Sequence, residues 1–352
     1  MARMASALTA LVGAGRSVLL ALVVALAAPP GAPAHAETPP PGDVQFFRIG
    51  SGTVDSPSFA LAGLIAAGLS SPPGARPCEH GGSCGVPGMI ALAQAIGSAA
   101  EAIELLEQRQ IDAILVPAGD AYRAYATKRP DGAKPRAALR SVATLFLEAA
   151  HAVVRGGTRF ETIEDLRRRP VAGATDDPSA AGFVQLYMNQ LGLDAGHKSA
   201  AVQTVQAGLQ RLADGKIDGL IIVAAAPQPA LVEFAHLVPI HLLAVTPAAN
   251  ARLPYVTEMR LPVGSYPGVE ALDLTALPTQ LLVPAGANAD RIEAITRALW
   301  NDATLKLLAG GPPVARSVKA ENALLGIVVP LHPGAARFYR EAGTLNNTPV
   351  GD

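Results

Sequence analysis

The chain alternates short apolar runs with longer stretches in which apolar residues recur every three or four positions. The first pattern fits β-strands and the second amphipathic helices, and their alternation predicts an α/β fold. Residues 44–49 read as a strand, Gly50-Ser51-Gly52 as a turn, and 57–69 as a helix opening on Pro57. A strand at 89–95, a helix after Gly97-Ser98 running through residue 108, and a strand at 111–116 continue the rhythm. Residues 139–154 hold extended apolar stretches interrupted by one acid, Glu148, which suits a chain crossing between two lobes. A second block repeats the alternation, with a short helix at 162–168, a strand at 171–174, helices at 178–191 and 204–213, and a buried strand at 217–223. Further strands are expected at 236–240, 256–261 and 280–284, and the longest helix at 289–308.

Residues 1–36 stand outside this rhythm. Arg3 and Arg16 precede an apolar run at 18–28 that is short for a bilayer span, and prolines then lead to Ala34-His35-Ala36, a small-x-small cleavage pattern. This predicts a cleavable export signal, a Pro-rich tether at 37–43 and a soluble periplasmic protein beyond it. No cysteine lies near the cut, so a lipid anchor is not expected. Of the chain's 28 basic and 29 acidic residues, the signal removes two arginines and no acid, which leaves a net charge of about −3. That balance does not point to nucleic acid or an anionic membrane.

The two cysteines, Cys78 and Cys84, flank a Gly-rich loop. In an oxidising compartment the pair fits a local disulfide; a zinc site adding His80 is the alternative, without a clear fourth ligand. No nucleophile elbow, S-x-x-K or H-E-x-x-H pattern occurs, and residues 208–217 lack phosphate-loop spacing. His151, His236, His241 and His332 are dispersed. An enzyme is therefore disfavoured, and no cofactor or metal is expected. The informative features are small-residue turns between strand and helix: Gly50 to Thr53, Gly97-Ser98 and Asp177-Pro178-Ser179. Such turns carry backbone N–H groups to the carboxyl ends of strands, where open α/β sheets bind ligands.

Further stretches stand out in order along the chain: Phe47 to Gly52, the loop from Arg76 to Gly88, Gln94 to Ser98, Asp120 to Tyr125, Asp214 to Gly219, Tyr266-Pro267-Gly268 and Pro330-Leu331-His332-Pro333-Gly334-Ala335. In this order they resemble the TAXI family of TRAP-transporter solute-binding proteins over nearly the whole chain after the signal. The resemblance implies a two-lobed periplasmic binding protein type II fold with a ligand cleft between the lobes. Lobe I would be residues 44–149 plus 268–345, lobe II residues 150–267, and 346–352 a C-terminal tail. It implies a monomeric receptor that passes a small organic solute, of the amino acid or organic acid class, to a membrane-embedded TRAP permease driven by an ion gradient. Ligand contacts carried over are Gly50, Ser51, Gly52, Thr53, Phe59, Gly97, Ser98, Asp120, Thr175, Ser179 and Pro227. Phe59 stands where the family often has tyrosine, Glu101 where asparagine is usual, and Ala225 where glycine is common.

Asp55, Glu101, Asp120, Asp176 and Asp177 all fall near the expected cleft loops. Burying a dicarboxylate beside unpaired aspartates is costly, so a neutral, zwitterionic or cationic ligand is expected. The alternative is that Glu101, Asp176 and Asp177 are solvated helix-start charges. Two other functions share such a fold: a sensor input to a membrane kinase, and an enzyme.

Overall fold

The computed structural model describes residues 44–126, 138–177, 180–193, 202–245 and 253–345. The expected signal (1–36), the tether (37–43), Ser179 and the tail (346–352) lie outside the described residues.

One mixed sheet organises the structure. Its first part is β1 (Gln45–Ser51), β4 (Met89–Ala95) and β5 (Ala113–Pro117), parallel to one another around β1, with the short β2 (Ser70–Ser71) and β3 (Val86–Pro87) at the edge. Each long strand feeds a helix: α1 (Pro57–Leu69), α2 (Ala99–Glu107) and α3 (Ala118–Ala126). Beyond β5 come two long strands, β6 (Leu139–Arg155) and β11 (Leu272–Pro284), antiparallel over ten register positions. Past them lie β8 (Gly219–Ala224) and β7 (Val171–Ala174), while β9 (Ile240–Leu243) pairs with β6 and β10 (Thr257–Leu261) with β11. The helices here are α4 (Ala181–Gln190), α5 (Val205–Ala213) and α6 (Pro229–Leu237). The fold is α/β, as the alternating pattern predicts.

β6 is the shared wall. At about 3.3 Å per residue, its 17 residues span roughly 55 Å, enough to pass from one packed core to the next. Val142, Leu145 and Phe146 join the core of α1 and β1, while Ala150, Ala152 and Val154 join that of α4 and β7. Burial of both faces explains why β6 reads as a near-continuous apolar run.

Local differences from the sequence pattern have specific causes. β1 continues through Ser51, because Gly50 and Ser51 pair with Gln94 and Ala95 of β4 instead of turning. The short helix expected at 162–168 is a 3₁₀ turn, Ile163–Leu166, boxed by Thr162 and Asp165. His236 belongs to α6, started by Pro229 and capped by Gln228, and the strand begins only at Ile240. The expected 20-residue helix at 289–308 is two helices, α7 (Ala289–Leu299) and α8 (Asp302–Ala309). Asn301 divides them, its Oδ1 accepting from the Thr304 N–H at 2.8 Å. α1 is therefore longer than either. After the short α9 (Pro313–Arg316), α10 (Pro333–Glu341) packs on α7.

Cys78 and Cys84 form a disulfide, so they are not ligands of a zinc site. The loop they close is tight: a side chain on Gly82 would overlap the Arg76 carbonyl. Among the described residues, no cluster of His, Cys, Asp or Glu is arranged to hold a metal, and no helix is long and apolar enough to cross a membrane.

Candidate functional site

Three strand-to-helix segments converge over the middle of β6. Val54, Asp55 and Ser56 come from the segment between β1 and α1, with Pro57 and Ala60 following on the helix. Asp176 and Asp177 come from the segment after β7; Ala224, Ala225 and Gln228 from the end of β8 and beyond. Phe146 and Glu148 of β6 and residues 312–314 complete a cavity of about 490 Å³. That volume suits a small-molecule ligand (~300–1,000 Å³), and it lies at the carboxyl ends of strands, where open sheets place their sites.

Its deepest charge is Glu148, 6% exposed and set opposite Leu277 of β11. No donor among the described residues reaches its carboxyl group. Burial holds that group well above the usual carboxylate range, and the charge of Asp177 pushes it the same way. Asp177 is itself buried. Its backbone N–H donates to Thr175 Oγ1 at 3.1 Å, and its Oδ2 accepts from Ser58 Oγ at 2.5 Å. Asp176 accepts from the Val205 N–H at 3.0 Å and from Gln228 Nε2 at 3.3 Å.

Gln228 connects the cavity to a buried relay. Its Oε1 caps α6 by accepting from the Leu231 N–H, and its own N–H donates to the Tyr266 hydroxyl at 2.8 Å. That oxygen lies 2.8 Å from His151 Nε2, while His151 Nδ1 faces the Ile222 carbonyl at 3.4 Å. A carbonyl can only accept, which assigns the imidazole proton to Nδ1 and makes Tyr266 the donor to Nε2. Burial pushes the His151 imidazole down to about 4, so it is neutral in the folded protein at neutral pH.

The sequence-predicted residues distribute as follows. Ser51 is buried in β1, and a side chain at Gly50 would meet Ile96 and Ile111, so that position serves packing. Gly52 lies nearer the cavity: a Cβ there would sit 3.8 Å from Asp177 Oδ1 and closer still to Ser56. Thr53 and Phe59 flank the segment, with the Phe59 N–H donating to the cap Ser56 Oγ at 3.1 Å. Thr175 orders the Asp177 backbone, and Pro227, after a cis peptide, adjoins Gln228. Gly97 and Ser98 are exposed, Ser98 capping α2 through the Glu101 N–H. Asp120 is held 2.5 Å from Arg123; burial raises its carboxyl and Arg123 opposes that rise. None of the described residues among these expected ligand contacts is itself in the cavity wall: Thr53, Thr175 and Pro227 are chain neighbours of residues that are, and Gly97, Ser98 and Asp120 lie elsewhere. Asp55, Asp176 and Asp177 line it, but the list of ligand contacts omits Glu148, Ser58 and Gln228. Glu148 had a signal: it is one of only two ionisable residues between Ser141 and Val154.

A larger depression, about 1,150 Å³, lies between the disulfide loop and α7. Of its charged groups, Arg297 pairs with Glu341 and both Asp290 and Glu293 with Arg337, while Glu79 and Asp302 are exposed. The smaller cavity, with its unpaired buried acid, is the better candidate for a binding site.

The fold and cavity define an α/β protein with a small-molecule cavity at the strand ends. The model of the NMT1-like family matches residues 86–343, and the chain belongs to that family. Among solved structures it is similar to an ancestral arginine-binding protein bound to glutamine, at 16% identity and a TM-score of 0.39 over 75% of this chain and 96% of that one. It is also similar to the arginine-, lysine-, histidine-binding protein ArtJ from Geobacillus stearothermophilus, at 11% identity and 0.40 over 77% and 99%. A histidine kinase sensor domain with similarity to periplasmic binding proteins matches at 14% identity and 0.38 over 82% and 99%.

Proposed function

We propose that this protein is an extracytoplasmic solute receptor of the TAXI type, which closes on one small organic solute and delivers it to a TRAP permease. The observation that carries this reading is the cavity over β6, built from three strand-to-helix segments and bridged by the Ser58–Asp177 hydrogen bond. With lobe I as residues 44–149 plus 268–345 and lobe II as 150–267, Ser58 and Asp177 belong to different lobes and Glu148 stands at the crossing. The bridge is then an interlobe contact of a closed form. In this reading Gly52, Thr53, Phe59, Thr175 and Pro227, on the segments that carry the lining residues, and Gly97, Ser98 and Asp120 contact the solute through the cleft when it opens.

The protein expressed from its full reading frame tests this. Amino acids, organic acids and amines are screened by thermal shift, and radius of gyration is measured with and without each hit. One class of solute is expected to raise Tm and reduce the radius of gyration without being chemically altered. A screen in which no class binds overturns the reading, and turnover of the bound solute replaces it with an enzyme. Solute uptake by source-cell vesicles supplied with the receptor is expected to stop when ion gradients are collapsed and to survive ATP depletion. The opposite dependence removes the TRAP assignment.

A further inference from the structure

We propose that the solute of this cavity is an organic cation, with its ammonium or guanidinium group seated between Glu148 and Asp177 and its apolar body against Phe146 and Val314. This rests on the receptor reading and narrows it to a substrate class. Among the described residues, four carboxylate side chains line the cavity and no lysine, arginine or histidine does. The four are not equivalent. Asp55 is exposed at the rim, and Asp176 is satisfied by Val205 and Gln228. Glu148 and Asp177 form the deep pair; Asp177 accepts from Ser58, while no donor among the described residues reaches Glu148.

Each ligand class meets this arrangement differently. A dicarboxylate would bring like charges into a low-dielectric site with no cation to offset them. A neutral apolar solute would displace water and leave the Glu148 carboxyl without a donor, a costly loss. An ammonium or guanidinium group brings several donors and a positive charge to Glu148, which no donor of the described residues reaches. The proton balance follows from the empty state. Glu148 lies against Asp177, with Asp55 and Asp176 the other titratable groups lining the cavity among the described residues, and burial together with the Asp177 charge favours its protonated form. When the cation enters, the Glu148 O–H bond breaks, the carboxylate pairs with the ligand, and the proton leaves to solvent. Binding is then tighter at higher pH.

Titration calorimetry on the full-length-expressed protein uses agmatine, putrescine and L-arginine as cationic probes and L-leucine, L-glutamate and 2-oxoglutarate as controls. At least one cationic probe is expected to bind about tenfold or more tightly than every control. It should release protons on binding, read from the dependence of heat on buffer ionisation enthalpy, and its affinity should rise with pH above the ordinary carboxylate range. Glu148→Gln, which keeps the shape and removes the buried acid, should fold with undiminished Tm, weaken the cation by about tenfold or more and abolish proton release. Binding of a control in place of the cations overturns the proposal and leaves the receptor standing. Wild-type cation affinity in Glu148→Gln also overturns it. Failure of these probes and of the whole solute screen removes the receptor reading as well.

Discussion

Ser58 Oγ donates a 2.5 Å hydrogen bond to Asp177 Oδ2, joining residues 119 apart that are each 4% exposed. Ser58 sits in the first turn of α1, where the helix dipole also favours a negative partner. A hydrogen bond to a charged group contributes about 1.5–3 kcal/mol, and losing one partner leaves the other under-solvated. Ser58→Ala is therefore expected to lower unfolding stability by roughly 2 kcal/mol, measured by urea titration. With the proposed lobe boundaries the bond joins the two lobes, so the radius of gyration of the variant should also rise. Unchanged stability would mean that Asp177 is held by its other contacts alone.

His151 is buried and neutral, with a pKa lowered from 6.5 to about 4. Between those values the unfolded chain binds the proton and the folded protein does not. The stability this group contributes is complete above pH 6.5 and is lost as pH falls through about 4. A shift of that size corresponds to roughly 3 kcal/mol. The measurement is the difference in unfolding free energy between wild type and His151→Leu across that window. It should narrow on acidification, and a difference that stays flat would show that the imidazole does not titrate in this way.

How much of this was legible in the chain depends on the length scale of the signal. α1, β4 and β7 follow the predicted spans because their periodicity and the Ser56-Pro57 start are local. The division at Asn301 was less visible, because apolar spacing runs through it and only the Asn-Asp cap signal marks the break. α3 starts directly from β5 and includes Gly119, which weakens its local signature. The acids at 176 and 177 are legible as charges near an expected cleft loop, with solvated helix-start charges as the alternative reading; Asp177 is buried and both line the cavity. Glu148 was visible only as a polar interruption, since its role depends on strand pairing that brings the segments after β1, β7 and β8 over one point of β6.

The Pro-Leu-His-Pro-Gly-Ala stretch has a packing explanation. His332 caps α10, its Nδ1 accepting from the Gly334 N–H at 3.2 Å, and its own N–H donates to the Ser141 carbonyl at 2.8 Å. A Cβ at Gly334 would lie 2.1 Å from the Ala289 carbonyl oxygen and 2.8 Å from the Glu293 nitrogen, both backbone atoms of α7. The two helices can approach so closely only with no side chain there. Gly334→Ala is expected to destabilise the protein by about 3 kcal/mol, near the upper end for overpacking, and to lower Tm in calorimetry. A neutral effect would mean that α10 can shift outward freely. That would be surprising, because the Tyr339 hydroxyl anchors α10 by accepting from Trp300 Nε1 and donating to the Val142 carbonyl.

Glu148 imposes the opposite pH dependence to His151. Its folded-state pKa is raised well above 4.5, so the folded protein holds a proton that the unfolded chain releases. Its effect on stability is absent below pH 4.5 and grows unfavourable as pH rises toward the folded value. Across about pH 4.5–6.5 this partly cancels the slope from His151, so the two separate only through variants. Glu148→Gln removes the ionisation while keeping an amide of nearly the same shape. In the absence of solute the variant should match wild type in acid and exceed it progressively toward alkaline pH, followed as Tm by calorimetry. A constant offset would show that Glu148 acts through packing alone. A wild type that gains on the variant as pH rises would mean that the folded protein stabilises the carboxylate, and that the cavity already supplies Glu148 with a donor.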